Sequence, residues 1–216
     1  MTLVAEAPLQ LDSRRLRLRE FEPADRHALV AMHRDPRVRD ALLDDWPLDR
    51  HVVAAQFIER LHEMRRQEPG LGIWCAERVD RTADDRTLYR FAGWFSLMRM
   101  PGRDGAVELG CRLLPETWGS GLVLDGGELL LDHALHRLAL PELWAVCHPA
   151  QRSVPYCLHA LGFDDEGHAP YEGLAARWFR LPMTRWRTWR GRPRRERVRA
   201  AVAAQYALCN ARATRS

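Results

Sequence analysis

From Glu108 to Asp125 the chain runs Glu-Leu-Gly-Cys-Arg-Leu-Leu-Pro-Glu-Thr-Trp-Gly-Ser-Gly-Leu-Val-Leu-Asp. Pro115 stops a strand that ends near Leu114, and Gly119 and Gly121 let the backbone turn tightly into a helix. Such a turn aims unpaired amide N–H groups outward at the positive end of the helix. That is an anion site suited to a pyrophosphate. A G-x-G turn is also a common way to pack a helix on a strand. No Gly-Lys-Ser/Thr follows, so the turn is not a Walker loop, and the third glycine of the dinucleotide fingerprint is missing. His133 and His136, three apart on a helix, have no third ligand at a recognisable spacing, so no metal site is expected. Cys111 and Cys147 near the same segment read as buried small residues rather than acyl carriers.

The elements that must position this segment are legible from periodicity. Residues 16–21 alternate apolar and polar as a half-buried strand does. Pro23 and Ala24 open a helix with Ala28, Leu29 and Met32 on one face, interrupted at Asp35-Pro36. A second helix follows Asp49, read as its N-cap, with Val52, Val53, Phe57, Ile58 and Leu61 on one side. Strands are expected over 71–79, 88–98 and 106–114, then a long helix over 122–138. A short buried strand over 143–147, a helix over 154–161 stopped by Gly162 and a last strand over 177–181 complete the pattern. Strands on both sides of a strand–glycine loop–helix unit predict a mixed α/β sheet. A Rossmann arrangement fails for want of βαβ units ahead of the glycine loop.

Four ordered pieces resemble the GNAT acyltransferase superfamily, in its RimJ/RimL-like branch, over about residues 10–182. Ser13-Arg14-Arg15-Leu16-Arg17-Leu18-Arg19 is similar to the branch's opening T-x-R-L-x-L-R strand, and Val107-Glu108-Leu109-Gly110 to its E-I-G-Y strand. Trp118-Gly119-Ser120-Gly121-Leu122 resembles its W-G-x-G-Y-A loop, with Asp125 where an acid often follows. His148-Pro149-Ala150-Gln151 through Leu161-Gly162-Phe163 resembles H-P-x-N…S…V-L-x-x-L-G-F. The resemblance implies an α/β (α+β) GNAT fold, a mixed, mostly antiparallel sheet with a V-shaped split flanked by helices. It implies acetyl-CoA as acyl donor, with no metal. Its pantetheine arm would lie along Cys111, Arg112 and Leu113, its pyrophosphate on the amides of Trp118, Gly119, Ser120, Gly121, Leu122 and Val123, and Gln151 would stand where the family has Asn. The reaction would be direct attack by a neutral amine on the thioester, which requires a path for the amine's proton.

Glu108 is the candidate catalytic base, directly or through water; the alternative is a carboxylate that only bonds a neighbouring loop. Trp46 and Trp94 are candidate walls of the acceptor pocket, or simply large core residues. The family's serine falls at Val154 and the wider superfamily's acid tyrosine at Leu158, so no protein acid for the thiolate is evident. The expected function is transfer of acetyl to a primary amine, either a protein or peptide N-terminus or a small amine such as an antibiotic or metabolite. A GNAT-fold module that binds acyl-CoA, RNA or the ribosome with little catalysis is the alternative.

Composition frames these readings. The chain has 216 residues, 46% of them hydrophobic, enough for one domain with a core. No apolar run is long enough to span a bilayer and no signal peptide is visible at Met1–Glu6, which favours a cytoplasmic protein with no membrane role. Five scattered cysteines without a C-x-x-C pair argue against a disulfide framework or structural zinc. All 33 basic residues are arginine, a compositional bias. The net charge of +4 hides a split: residues 184–216 hold ten Arg and one acid, and the preceding 183 residues are net acidic. The chain therefore divides into an acyltransferase domain over 1–183 and a basic Arg/Trp-rich, partly helical extension over 184–216. That extension would contact RNA or the ribosome, pack on the body or a second copy of the chain through Val198, Val202 and Tyr206, or stay solvated.

Overall fold

The computed structural model describes residues 9–40, 42 and 46–213, with side chains as far as Tyr206. The segment read for a signal peptide and the Cys209 side chain lie outside the described residues. Among those residues eight strands form one sheet in the order β1-β2-β3-β4-β5-β6-β8-β7. The strands are β1 (Leu11–Asp12), β2 (Leu16–Arg19), β3 (Gly72–Arg81), β4 (Thr87–Arg99), β5 (Val107–Leu113), β6 (Glu142–Cys147), β7 (Asp164–Tyr171) and β8 (Leu174–Pro182). Helices are α1 (Arg26–Arg34), α2 (Pro36–Arg39), α3 (His51–Gln67), α4 (Leu122–His136), α5 (Val154–Leu161), α6 (Met183–Trp189) and α7 (Arg194–Ala213). This is the mixed, mostly antiparallel sheet with flanking helices that the sequence predicts. The chain divides into two compact units. The first takes in the chain up to Val38, Trp46–Ser96 and Cys111–Leu129; the second includes Leu97–Gly110 and everything from Leu130 on.

In the first unit, Leu16 and Leu18 of β2 are fully buried while Arg17 and Arg19 turn outward, as alternation requires. Arg19 bridges Asp25 (2.7 Å) and Glu77 (2.8 Å), tying the turn before α1 to β3. The buried face of α3 is Ala54, Phe57, Ile58 and Leu61, a helical repeat. Val52 stands two residues, or about 200° of helix, away from Ala54 and is exposed rather than packed. Asp49 is not the N-cap: Arg50 holds that position and makes no side-chain cap bond. Gly93 on β4 approaches β5 so closely that a Cβ there would lie 2.1 Å from the Arg112 carbonyl oxygen, and Gly126 of α4 would meet the Phe95 ring at 2.2 Å.

In the second unit, β8 pairs with β6 over six residues and with β7 along almost its whole length. β7 is not expected from the sequence, because Asp-Asp-Glu-Gly-His-Ala-Pro-Tyr has no apolar alternation. It is an edge strand, and charge and proline suit that position. The sheet face carrying Leu143, Ala145, Phe179 and Leu181 is buried. The Arg/Trp segment after Pro182 also packs within this unit. Trp186 is 1% exposed and donates to Asp132 (2.8 Å); Trp189 donates to the Ala160 carbonyl (3.0 Å). On α7 the inward face is Arg197, Ala201 and Gln205, whereas Val198, Val202 and Tyr206 face outward and pack on nothing in their own chain strongly enough to be buried.

Candidate active site

The glycine turn is built in the first unit. Leu114 donates its N–H to the Ala92 carbonyl (2.9 Å) as β5 ends, and one turn of 3-10 helix over Pro115–Thr117 follows. Trp118 is half exposed, and its indole N–H donates 2.9 Å back to the Leu113 carbonyl. Gly119 and Gly121 both have positive φ (73° and 84°), a conformation that favours glycine. The Ser120 hydroxyl bonds the Thr117 carbonyl and lies 3.4 Å from the Leu122 amide. Among the described residues the amides of Gly119, Gly121 and Val123 donate to no protein group, and they stand at the N-terminus of the fifteen-residue α4. A Cβ on Gly119 would meet nothing within 4 Å, so the turn is open on that side. The residues present thus fit a pyrophosphate: free N–H groups, a helix dipole and room for an anion.

Arg15, just before β2, holds this turn. Its guanidinium donates to the Ser120 carbonyl (2.9 Å) and to Asp125 (2.6 Å) in the first turn of α4. The pair offsets the Asp125 carboxylate beside the anion site. The sequence places Arg15 in the opening strand piece but gives no sign of this partner, 110 residues away.

Along β5 the burial alternation is broken at Cys111 and Arg112. Val107 and Leu109 are buried, then Arg112 and Leu113, so Cys111 is turned out and exposed. This corrects the expectation of a buried Cys111. Cys147 is buried as expected, and burial pushes its thiol up to about 11. The Arg112 side chain runs inward, with Nη1 2.6 Å from His33 Nε2 and the guanidinium 5.0 Å from the Trp94 ring centroid. His33 Nδ1 lies 2.8 Å from the Leu29 carbonyl and must donate there, leaving Nε2 to accept from Arg112; His33 is therefore neutral. Trp94 lies beneath this pair, and Trp46 meets Phe57 edge-on at 5.6 Å beside α3, lining a pocket with Pro47, Gln56 and Arg60.

In the second unit, Glu108 and Trp144 are the parallel register pair of β5 and β6. The Glu108 carboxyl accepts a 2.7 Å bond from the Tyr171 hydroxyl and another from the Val146 backbone N–H. Burial raises its pKa to about 7 against the lowering effect of the Tyr171 bond; nearby Glu172 adds to the rise and the Val146 N–H opposes it. A carboxyl that exchanges its proton near neutrality is matched to base work at physiological pH. Tyr171, at the end of β7, bonds the candidate base, and no sequence signal marks it. Gln151 lies in the turn after β6, its N–H bonded to the His148 carbonyl (2.9 Å). Leu158 is buried and Tyr156 is exposed on another face of α5.

The acetyltransferase (GNAT) domain family matches residues 15–164. Solved structures share the fold. An acetyltransferase from Agrobacterium tumefaciens str. C58 is 19% identical, with 84% of this chain and 98% of that one covered at a TM-score of 0.63. The ribosomal-protein-S5-alanine acetyltransferase from Vibrio fischeri is 16% identical, over 82% of this chain and 98% of that one, at 0.64. RimL, a ribosomal L7/L12 α-N-protein acetyltransferase solved with coenzyme A, is 15% identical, over 81% and 98%, also at 0.64.

Proposed function

The chain belongs to the GNAT acetyltransferase family, and on that premise we propose that it moves an acetyl group from acetyl-CoA to a primary amine, with Glu108 taking the amine's proton. The observation that carries this reading is Glu108 itself, a carboxyl bonded by Tyr171 at 2.7 Å and poised by burial to titrate near 7. The amides of Gly119, Gly121 and Val123 hold the donor's pyrophosphate, and the main chain of Cys111–Leu113 takes the pantetheine arm, except that the Leu113 carbonyl is engaged by Trp118. Acetyl-CoA supplies the acetyl group as a thioester. The new carbon–nitrogen bond forms as the carbon–sulfur bond breaks, and the amine's proton passes to Glu108 directly or through water. Leu158, apolar and buried, donates no proton, so the departing thiolate takes its proton from solvent or leaves ionised.

Two of the similar structures are acetyltransferases of ribosomal proteins, which supports a protein or peptide α-amine as acceptor over a small amine. Thiol release from acetyl-CoA, measured against peptides and small amines, tests the reading. We expect release that depends on the amine and on Glu108. Coenzyme binding with no turnover on any amine would instead support an acyl-CoA-binding module.

A further inference from the structure

The Glu108 face of the sheet in the second unit carries an aromatic patch that the acyl transfer leaves unused. Trp144 is the register partner of Glu108, and Trp178 is the partner of Val146, two residues along the same face. The two indoles meet edge to face at 6.1 Å, and the Tyr171 ring, whose hydroxyl holds Glu108, meets Trp178 at 5.7 Å. Both indole N–H groups are fixed: Trp144 donates to Glu142 (2.8 Å) and Trp178 to the Ala169 carbonyl (3.0 Å). The rings are thus locked in place, with their faces left for something else.

What lies on them is a guanidinium. Arg103, from the exposed turn between β4 and β5, stands 4.0 Å from the Trp144 centroid and 5.2 Å from that of Trp178. No carboxylate forms an ion pair with it among the described residues. Trp144 is 8% exposed beneath this cover. The charges around the patch favour a cation even without Arg103. Glu142 is paired with Arg180 (2.6 Å), which also lies 5.6 Å from the Trp144 ring. Glu166 acts on Arg180, and Glu172 acts on Glu108, so carboxylates border the patch on several sides. Fixed aromatic faces in an acidic surround are a guanidinium site.

We propose that the Trp144–Trp178 patch beside Glu108 binds a guanidinium of the acceptor, so that the preferred substrate is an arginine-bearing peptide, and that Arg103 holds its place until the acceptor displaces it. The proposal rests on Glu108 marking the acceptor amine's position. Its test is the indole N–H resonances of Trp144 and Trp178, assigned with Trp144→Phe and Trp178→Phe, during titration with arginine amide, lysine amide and norleucine amide. Arginine amide should move both resonances, at a concentration at least threefold lower in Arg103→Ala than in the wild type, and lysine amide should act more weakly. Arg103→Gln, which keeps side-chain length, should repeat the result. The proposal is overturned if neither resonance moves in either variant, if wild type and variants titrate alike, or if norleucine amide acts as well as arginine amide. This binding is read without acetyl-CoA. Shifts without turnover would sink the acetyl-transfer reading alone, and turnover without shifts would sink the guanidinium site alone.

Discussion

A carboxylate left in water titrates near 4 and is a poor partner for an amine's proton at neutral pH. Burial moves Glu108 to about 7, and Tyr171 limits the rise by donating to the ionised form. The sign for Tyr171→Phe follows: without the phenol the carboxylate loses a donor, the acid form gains, and the pKa moves above 7. The rising limb of the kcat/KM–pH profile should shift upward by about half a unit or more, with activity recovered at high pH. A tyrosine that served only to pack β7 would leave the midpoint where it was. Glu108 is legible in the sequence through the Val107-Glu108-Leu109-Gly110 piece in the strand leading to the glycine turn. Tyr171 is not, since it lies 63 residues away at the end of a strand without apolar alternation.

At the scale of elements, the strand–turn–helix unit is legible from Pro115, the two glycines and the apolar run after them. Its fastening is not. Arg15 closes the turn from just before β2, and such long-range pairing leaves no periodic trace. Arg15 is partly exposed, so its ion pair with Asp125 contributes under about 1 kcal/mol to folding. Its effect should appear in binding: Arg15→Ala is expected to raise the Kd for coenzyme A roughly five- to tenfold, about 1 kcal/mol, with little change in Tm. An unchanged Kd by calorimetry would mean that the turn needs no outside support. The exposure of Cys111 is equally hidden, because strict alternation with Val107, Leu109 and Leu113 predicts that it stays inward.

Over the whole molecule, the charge split was plain from composition, but not where the tail goes. The tryptophans that suggested stacking on RNA bases pack within the second unit: Trp186 is buried, and Trp189 lies over the α5 end. Arg190 pairs with Asp132 at 2.7 Å. The apolar face of α7 that periodicity marks, Val198, Val202 and Tyr206, is exposed, and the inward face includes Arg197 and Gln205. Gly162 reports this packing. It caps α5 at φ 96°, and a Cβ there would lie 2.8 Å from Trp189 Cδ1. Gly162→Ala should therefore cost about 1–3 kcal/mol, seen as a lower urea midpoint. In a chain ending at 183 the contact part of that penalty should vanish, leaving the smaller cost of the left-handed backbone. Equal penalties in both chains would show that Trp189 does not press on Gly162.

The central claim is that Glu108 accepts the proton of the attacking amine. Its most direct measurement is the pH dependence of kcat/KM for wild type and Glu108→Gln with one peptide acceptor, with coenzyme A affinity measured alongside. The account predicts a wild-type rise with a midpoint near 7 and a loss of about 10²-fold or more in the variant at pH 8. It also predicts that this limb disappears while coenzyme A binds as before. A variant that keeps both the wild-type rate and the wild-type profile would contradict it.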